Sequence, residues 1–266
     1  MITADTLWND IKKIRAEAPL IHNITNYVVM NTSANALLSI GASPVMAHAI
    51  EEVKEMVGIS RALVINIGTL SASWIASMLT AARAAKKLGI PIIVDPVGAG
   101  ATRLRTETAH RLVQEALPSV IRGNASEIRS LFFAESGTKG VDSKHRTEEA
   151  LEASIELSKR YQCTVSVSGE VDVIVQGEKI IRIFNGHPLM PRVTGLGCTA
   201  SALTGAFAAV NSSAFLAAAH AMAVMGIAGE IAAEQSKGPG TLQMHFLDAL
   251  HQLTESDIQK RLKIGK

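Results

Sequence analysis

The chain has 266 residues, 47% hydrophobic and 19% charged, which is enough apolar mass for a full core and excludes general disorder. Its 26 basic against 24 acidic side chains give a formal charge of +2, short of a nucleic-acid binder's excess, and 4% aromatic content leaves few rings on which bases could stack. Two cysteines, Cys163 and Cys198, cannot build a disulfide scaffold and point to a reducing, cytoplasmic setting.

The N-terminal segment, interrupted by Asp5, Asp10 and Glu17, reads as an amphipathic helix and not as a secretory signal. Residues 44–46 form a short candidate strand. Residues 63–66 are continuously apolar up to Asn66, as in a buried parallel strand. A helical pattern over 72–88 leads to a strand at 91–95, a helix over 106–116 and a short strand at 119–121. The polar stretch 135–146 is expected as a surface loop, followed by a helix over 148–161 and a strand at 164–167. Runs at 171–175 and 179–184, separated by Gln176-Gly177-Glu178, predict a hairpin and so an antiparallel edge. Ala-rich helices fill the chain from Gly197 onward. The most apolar run, 214–229, has 16 residues and contains His220; it falls short of a bilayer span and suits a buried helix. No repeat or linker divides the chain, so 1–266 is expected as a single α/β domain with a mostly parallel sheet flanked by helices.

Ligands of parallel sheets bind beyond the carboxyl ends of the strands. There the sequence places Asn66-Ile67-Gly68-Thr69, Asp95-Pro96-Val97-Gly98-Ala99-Gly100, Arg122-Gly123-Asn124-Ala125-Ser126-Glu127 and Ser168-Gly169-Glu170. Polar residues and glycines therefore collect at one end of the expected sheet.

Thr194-Gly195-Leu196-Gly197-Cys198-Thr199-Ala200 opens an Ala-rich helix. Glycines let amides approach an anion, and a helix start offers unpaired N–H groups and a positive dipole end, as a transferring phosphoryl group requires. The same segment also fits a glycine-rich helix entry without a ligand. It matches the loose G-x-G-x-x-A pattern but lies late in the chain, with no carboxylate about 20 residues on to hold a ribose. No G-x-x-x-x-G-K-[ST] loop, G-x-S-x-G elbow or zinc-type histidine spacing occurs. Asn124 with Glu127 has the spacing of a helix-capping box. Asp95, straight after an apolar strand, suits magnesium beside phosphates or equally a turn.

Together and in this order, these elements resemble the ribokinase-like superfamily of small-molecule kinases, and more narrowly the hydroxyethylthiazole kinase family. The resemblance is carried by His22-Asn23-Ile24-Thr25-Asn26, Gly41-Ala42-Ser43-Pro44-Val45-Met46, Asn66-Ile67-Gly68-Thr69-Leu70, the Asp95, Arg122 and Thr194 segments, and Gly238-Pro239-Gly240-Thr241. It runs from about residue 3 to residue 255. It implies a ribokinase-like fold and transfer of the γ-phosphoryl of ATP, with Mg²⁺, to the alcohol of 4-methyl-5-(2-hydroxyethyl)thiazole in thiamine biosynthesis and salvage. It also implies a homotrimer with sites at subunit interfaces; on composition and hydropathy, no nucleic-acid or membrane partner is expected.

By position, the resemblance implies that Arg122 and Ser168 contact nucleotide phosphates, with Asn124 and Thr194 beside them. Asp95 and Glu127 become the magnesium acids. Met46, Gly195 and Gly68 become thiazole-pocket positions, lined also by Asn23, Thr25 and Asn26. Gly195, Gly197 and Cys198 become the catalytic turn. On the residues alone, Arg122 also suits a surface ion pair, Met46 a core position, and Asn23, Thr25 and Asn26 loop-building bonds. Many superfamily members carry an Asp base where Cys198 stands. A helix start can lower a thiol's pKa, but a loose phosphoryl-transfer transition state asks little of a base, so Cys198 is expected to line the site beside the alcohol, with proton acceptance optional. Cys163, in a strand, is expected to be inert core. Two other functions fit less well. A related kinase, or the dehydratase of hydrated nicotinamide cofactors, would not be expected to combine Cys198 with the Asn-Ile-Thr-Asn entry. A catalytically silent binder would have no need of both Asp95 and Glu127.

Overall fold

A computed structural model describes residues 2–136 and 146–265. Thr3 caps α1 (Ala4–Glu17) in a reciprocal box with Thr6, and Leu7, Ile11 and Ile14 bury one stripe of that helix. Then follow β1 (Leu20–Ile24), α2 (Met30–Ile40), β2 (Ser43–Val45), α3 (Val53–Ile59), β3 (Ala62–Asn66), α4 (Ala72–Leu88), β4 (Ile92–Asp95) and α5 (Arg103–Ala116). Next come β5 (Val120–Asn124), α6 (Ala125–Ser136), α7 (Arg146–Tyr161), β6 (Thr164–Ser168), β7 (Asp172–Gln176) and β8 (Lys179–Ile183). A 3₁₀ turn (Met190–Arg192) leads to α8 (Leu196–Val210), α9 (Ala214–Glu234), α10 (Pro239–Gln252), α11 (Glu255–Arg261) and β9 (Ile264–Gly265).

Among the described residues, nine strands form one sheet in the order β2-β1-β3-β4-β5-β6-β7-β8-β9. Neighbours from β2 across to β6 are parallel, and those from β6 to β9 are antiparallel. Side chains alternate between two cores. Ile21, Val64, Ile93 and Val120 face α1, α2, α8, α9 and α10, whereas Leu63, Ile65, Val94 and Ile121 face the layer of α3 to α7. The expected mostly parallel α/β sheet with an antiparallel edge is what forms.

The strand order reverses between β1 and β3, because the chain first steps from β1 to β2 and then returns to the other side. Such a switch point opens a crevice at the strands' carboxyl ends. The hairpin is tighter than expected: β7 runs through Gln176 and only Gly177-Glu178 turn, with Gly177 at φ +59°. β5 extends through Arg122-Gly123-Asn124, residues expected to follow the strand. The 214–229 run lengthens into the 21-residue α9, which by length and composition could cross a membrane; 78% of its apolar window is buried inside the fold. Of the loop expected at 135–146, residues 137–145 lie outside the described residues, and its ends close α6 and open α7.

Candidate active site

Period-two alternation builds the centre of the site. Val64, Ile93 and Val120 point toward α8, so two residues later Asn66, Asp95 and Arg122 must point the same way. Register brings them abreast, since Asn66 pairs with Asp95 and Val94 with Ile121. All three are buried. They meet the first two turns of α8, where Cys198 and Ser201, three residues apart, share a helix face.

Gly195 caps α8 with φ +86°, and a β-carbon there would stand 2.7 Å from Val29 Cγ1. No described side chain caps this helix. The Thr199 amide bonds back to Gly195 O at 2.8 Å, so the amides of Leu196, Gly197 and Cys198 precede the first intrahelical bond. Thr194 and Gly197 are exposed at this mouth. Arg122 lies under it, donating from Nη1 to Gly197 O at 2.8 Å; its Nε is buried with no partner among the described residues. A buried guanidinium at a helix start reinforces the positive potential there.

A chain of side-chain hydrogen bonds crosses the switch crevice. Asp95 Oδ2 accepts from Ser201 Oγ at 2.6 Å and from Asn66 Nδ2 at 2.8 Å. Asn66 Oδ1 accepts from the Gly68 amide and from Asn26 Nδ2, each at 2.9 Å. Asn26 Nδ2 also donates to Cys198 Sγ at 3.4 Å, and Asn26 Oδ1 accepts from the Val28 amide. A β-carbon on Gly68 would fall 2.6 Å from Asn26 Nδ2, so only glycine lets this chain close.

Burial pushes the Asp95 carboxyl up to about 6, although Arg122, Ser201 and Asn66 oppose the shift. Burial also pushes the Cys198 thiol up to about 11, and the Asp95 charge adds to this, opposite in direction to the lowering that a helix start can give. Asp95 Oδ1 has no partner among the described residues. Glu127 Oε1 accepts from the Gly98 amide and Oε2 from the Asn124 amide, each at 2.8 Å. Asn124 Oδ1 returns the bond from the Glu127 amide, so the capping box and the acid at the site are one structure.

The structure thus joins Asn26, Gly68, Asp95 and Cys198 through hydrogen bonds and Arg122 to Gly197 beside them, with the Asn124–Glu127 pair near enough to Asp95 to act on its charge. Ser168, half-buried at the end of β6, donates to Gly123 O at 3.4 Å. Met46 follows β2 and is half-buried. Asn23 and Thr25 are buried at the end of β1, where Asn23 Nδ2 donates to Ile21 O and its Oδ1 has no partner among the described residues. Asn66 and Ser201 were absent from the expected site. The signal for Asn66 is strand parity with Asp95, and the signal for Ser201 is a hydroxyl one turn past Cys198 in an Ala-rich helix. Cys163 is buried, its thiol pushed up to about 12 by burial.

The acids are hard oxygen donors, and Asp95 Oδ1 is a buried acceptor left open, which suits Mg²⁺ held by one or two carboxylates plus phosphate oxygens. Among the described residues no group of three or more His, Cys, Asp or Glu side chains converges.

The profile of the Hydroxyethylthiazole kinase family matches residues 11–256. A hydroxyethylthiazole kinase of Syntrophus aciditrophicus is 63% identical over 264 residues, covering 99% of this chain and 98% of that protein. One from Nitratidesulfovibrio vulgaris strain Miyazaki F is 51% identical over 260 residues, covering 98% and 97%. The structure of the hydroxyethylthiazole kinase of Pyrococcus horikoshii OT3 superposes with a TM-score of 0.91 at 42% identity, covering 98% of each chain.

Proposed function

The chain belongs to the hydroxyethylthiazole kinase family, and from that premise we propose that it moves the γ-phosphoryl of ATP onto the hydroxyethyl oxygen of 4-methyl-5-(2-hydroxyethyl)thiazole at the mouth of α8. The product serves thiamine biosynthesis or salvage in the cytoplasm. The observation that carries this reading is the pairing of an uncapped helix start with a buried carboxylate, Asp95, whose Oδ1 is left without a partner among the described residues.

Each residue then has a physical task. The amides ahead of Thr199 and the Arg122 guanidinium meet the negative charge on the migrating group, with no reorganisation needed at the moment of transfer. Ser168, Asn124 and Thr194 border the nucleotide side. Asp95 and Glu127 would hold Mg²⁺, which when bound neutralises phosphate charge. Met46, Gly195, Gly68, Asn23, Thr25 and Asn26 border the thiazole. Cys198, its thiol pushed up to about 11, stands beside the alcohol as a neutral group and not as a base. A homotrimer with sites at subunit interfaces would cover Tyr27 and Val28, which are 65% and 63% exposed and adjoin Asn26.

The test is ADP release on adding the thiazole alcohol, with and without Mg²⁺, alongside light-scattering mass. Thiazole-dependent, Mg²⁺-dependent ADP release from a trimer is expected. Thiazole binding without turnover would instead identify a silent binder.

A further inference from the structure

We propose that Asn66 and Ser201 are positioning residues that fix the polarity of the site, holding Asp95 so that one carboxylate oxygen stays committed to the protein and the other stays open. The inference rests on Asp95 as a metal-holding acid, the reading above.

An amide side chain can usually be turned end for end, but these two cannot. The Gly68 backbone N–H can only donate, so the Asn66 atom facing it at 2.9 Å must be the carbonyl oxygen. The Val28 backbone N–H fixes Asn26 in the same way, at 3.1 Å. With Oδ1 placed, Asn66 Nδ2 must point at Asp95 Oδ2 and donate. With Oδ1 of Asn26 placed, its Nδ2 must donate to both Asn66 Oδ1 and Cys198 Sγ. Two backbone amides thus set the direction of every bond that Asn26 and Asn66 make in the chain.

The consequence falls on Asp95. Its Oδ2 accepts two bonds, one from β3 and one from α8, at 2.8 and 2.6 Å. Those bonds fix the plane of a carboxyl group that is 1% exposed. The carboxylate cannot rotate to share its second oxygen with the protein without breaking both. A buried acceptor without a partner is costly, and a rigid clamp is what keeps the fold from satisfying it. A second consequence falls on Cys198. Its sulfur accepts from Asn26, so its own S–H is turned away from Asn26.

Partners that orient metal ligands in this way typically change metal affinity 10- to 100-fold when removed. The experiment measures Mn²⁺ binding by electron paramagnetic resonance, with a non-hydrolysable ATP analogue present, together with the Kd of the thiazole alcohol and the apo-protein Tm. Ser201→Ala, Asn66→Ala and Asp95→Asn are compared with the parent protein. Ser201→Ala is expected to weaken Mn²⁺ binding about tenfold while leaving thiazole affinity within about twofold and Tm within a few degrees. Asn66→Ala is expected to weaken both Mn²⁺ and thiazole binding, because it releases Asn26 as well as Asp95. If Asp95→Asn loses Mn²⁺ but Ser201→Ala binds it like the parent, the clamp is refuted and the metal reading survives. If Asp95→Asn also binds Mn²⁺ like the parent, the metal reading falls and the inference falls with it. Should Asn66→Ala not fold, Ser201→Ala, which removes one oxygen atom from a helix, decides the matter alone.

Discussion

Helix α8 has a buried carboxylate at each end, and the two are finished differently. At its C-terminal end, Asp10 Oδ2 accepts from Asn211 Nδ2 at 2.6 Å and lies 2.7 Å from His220 Nδ1, while Oδ1 lies 3.8 Å from Lys13 Nζ. The other ring nitrogen of His220 lies 3.4 Å from Thr6 Oγ1. Both oxygens have partners, and the cluster ties α1, α8 and α9 together. At the N-terminal end, Asp95 carries two bonds on one oxygen and, among the described residues, none on the other. Burial alone therefore does not mark a functional acid. What separates Asp95 from Asp10 is whether, among the described residues, an oxygen of the buried carboxylate is left with neither a hydrogen bond nor an ion pair.

That contrast is broken or sharpened first at Asp95. Asp95→Asn should lower kcat/KM by about 10³-fold, in the range of a lost electrostatic stabiliser, with Tm held or raised, because a desolvated charge is removed. Asp10→Ala should do the reverse. Its loss strands Asn211 and His220, so stability should fall by about 3 kcal/mol, read by urea unfolding, while kcat per folded molecule stays within about twofold. Turnover lost at Asp10 with stability intact would erase the distinction.

The layered sheet was legible because β3 and β4 are continuous apolar runs, each ending in a polar residue. β1 was not, since Leu20-Ile21-His22-Asn23-Ile24 places His22 and Asn23 among the buried positions of the strand. His22 is accommodated by a bond to Ala47 O at 2.8 Å, a tertiary partner that no local pattern announces. β9 is two residues long and pairs with β8. In the site, Asp95 and Arg122 each follow an apolar run within a strand, Glu127 and Cys198 lie in the first turn of a helix, and all four stand out. Asn66 does not, because its significance lies in strand register, which depends on long-range pairing. By spacing alone Asn124–Glu127 reads as a helix cap, and its place in the site is what the resemblance implies; the bond from the Gly98 amide to Glu127 joins it to the loop after β4.

A third acid lies between the two extremes. Asp172 accepts from the Gly169 amide at 3.0 Å, and burial pushes its carboxyl from 3.8 up to about 6. The folded chain therefore binds this proton more tightly than the unfolded chain does. The stability it contributes is complete below about pH 4 and is lost as pH rises through about 6. Asp172→Asn, which keeps an acceptor for Gly169 but carries no charge, should match the parent near pH 4 and exceed it by up to about 2 kcal/mol near pH 8. Equal unfolding midpoints at both pH values would show that the folded protein tolerates the charge, and would place Asp172 with Asp10.

The smallest expected effect is at Cys198. Burial and the Asp95 charge push its thiol up to about 11, and Asn26 donates to its sulfur, so at neutral pH no thiolate stands ready to take the alcohol's proton. A loose transition state gathers little charge on the attacking oxygen before the phosphoryl group has moved. A carboxylate at this position would accept from Asn26 as the sulfur does, and it offers the proton acceptor that the thiol lacks. Cys198→Asp should therefore keep kcat within about tenfold of the parent, or exceed it, where Asp95→Asn does not. Abolished turnover in a folded Cys198→Asp protein would mean that a second charge cannot be carried beside Asp95. The open oxygen at that end of α8 would then depend on a neutral neighbour as well as on its clamp.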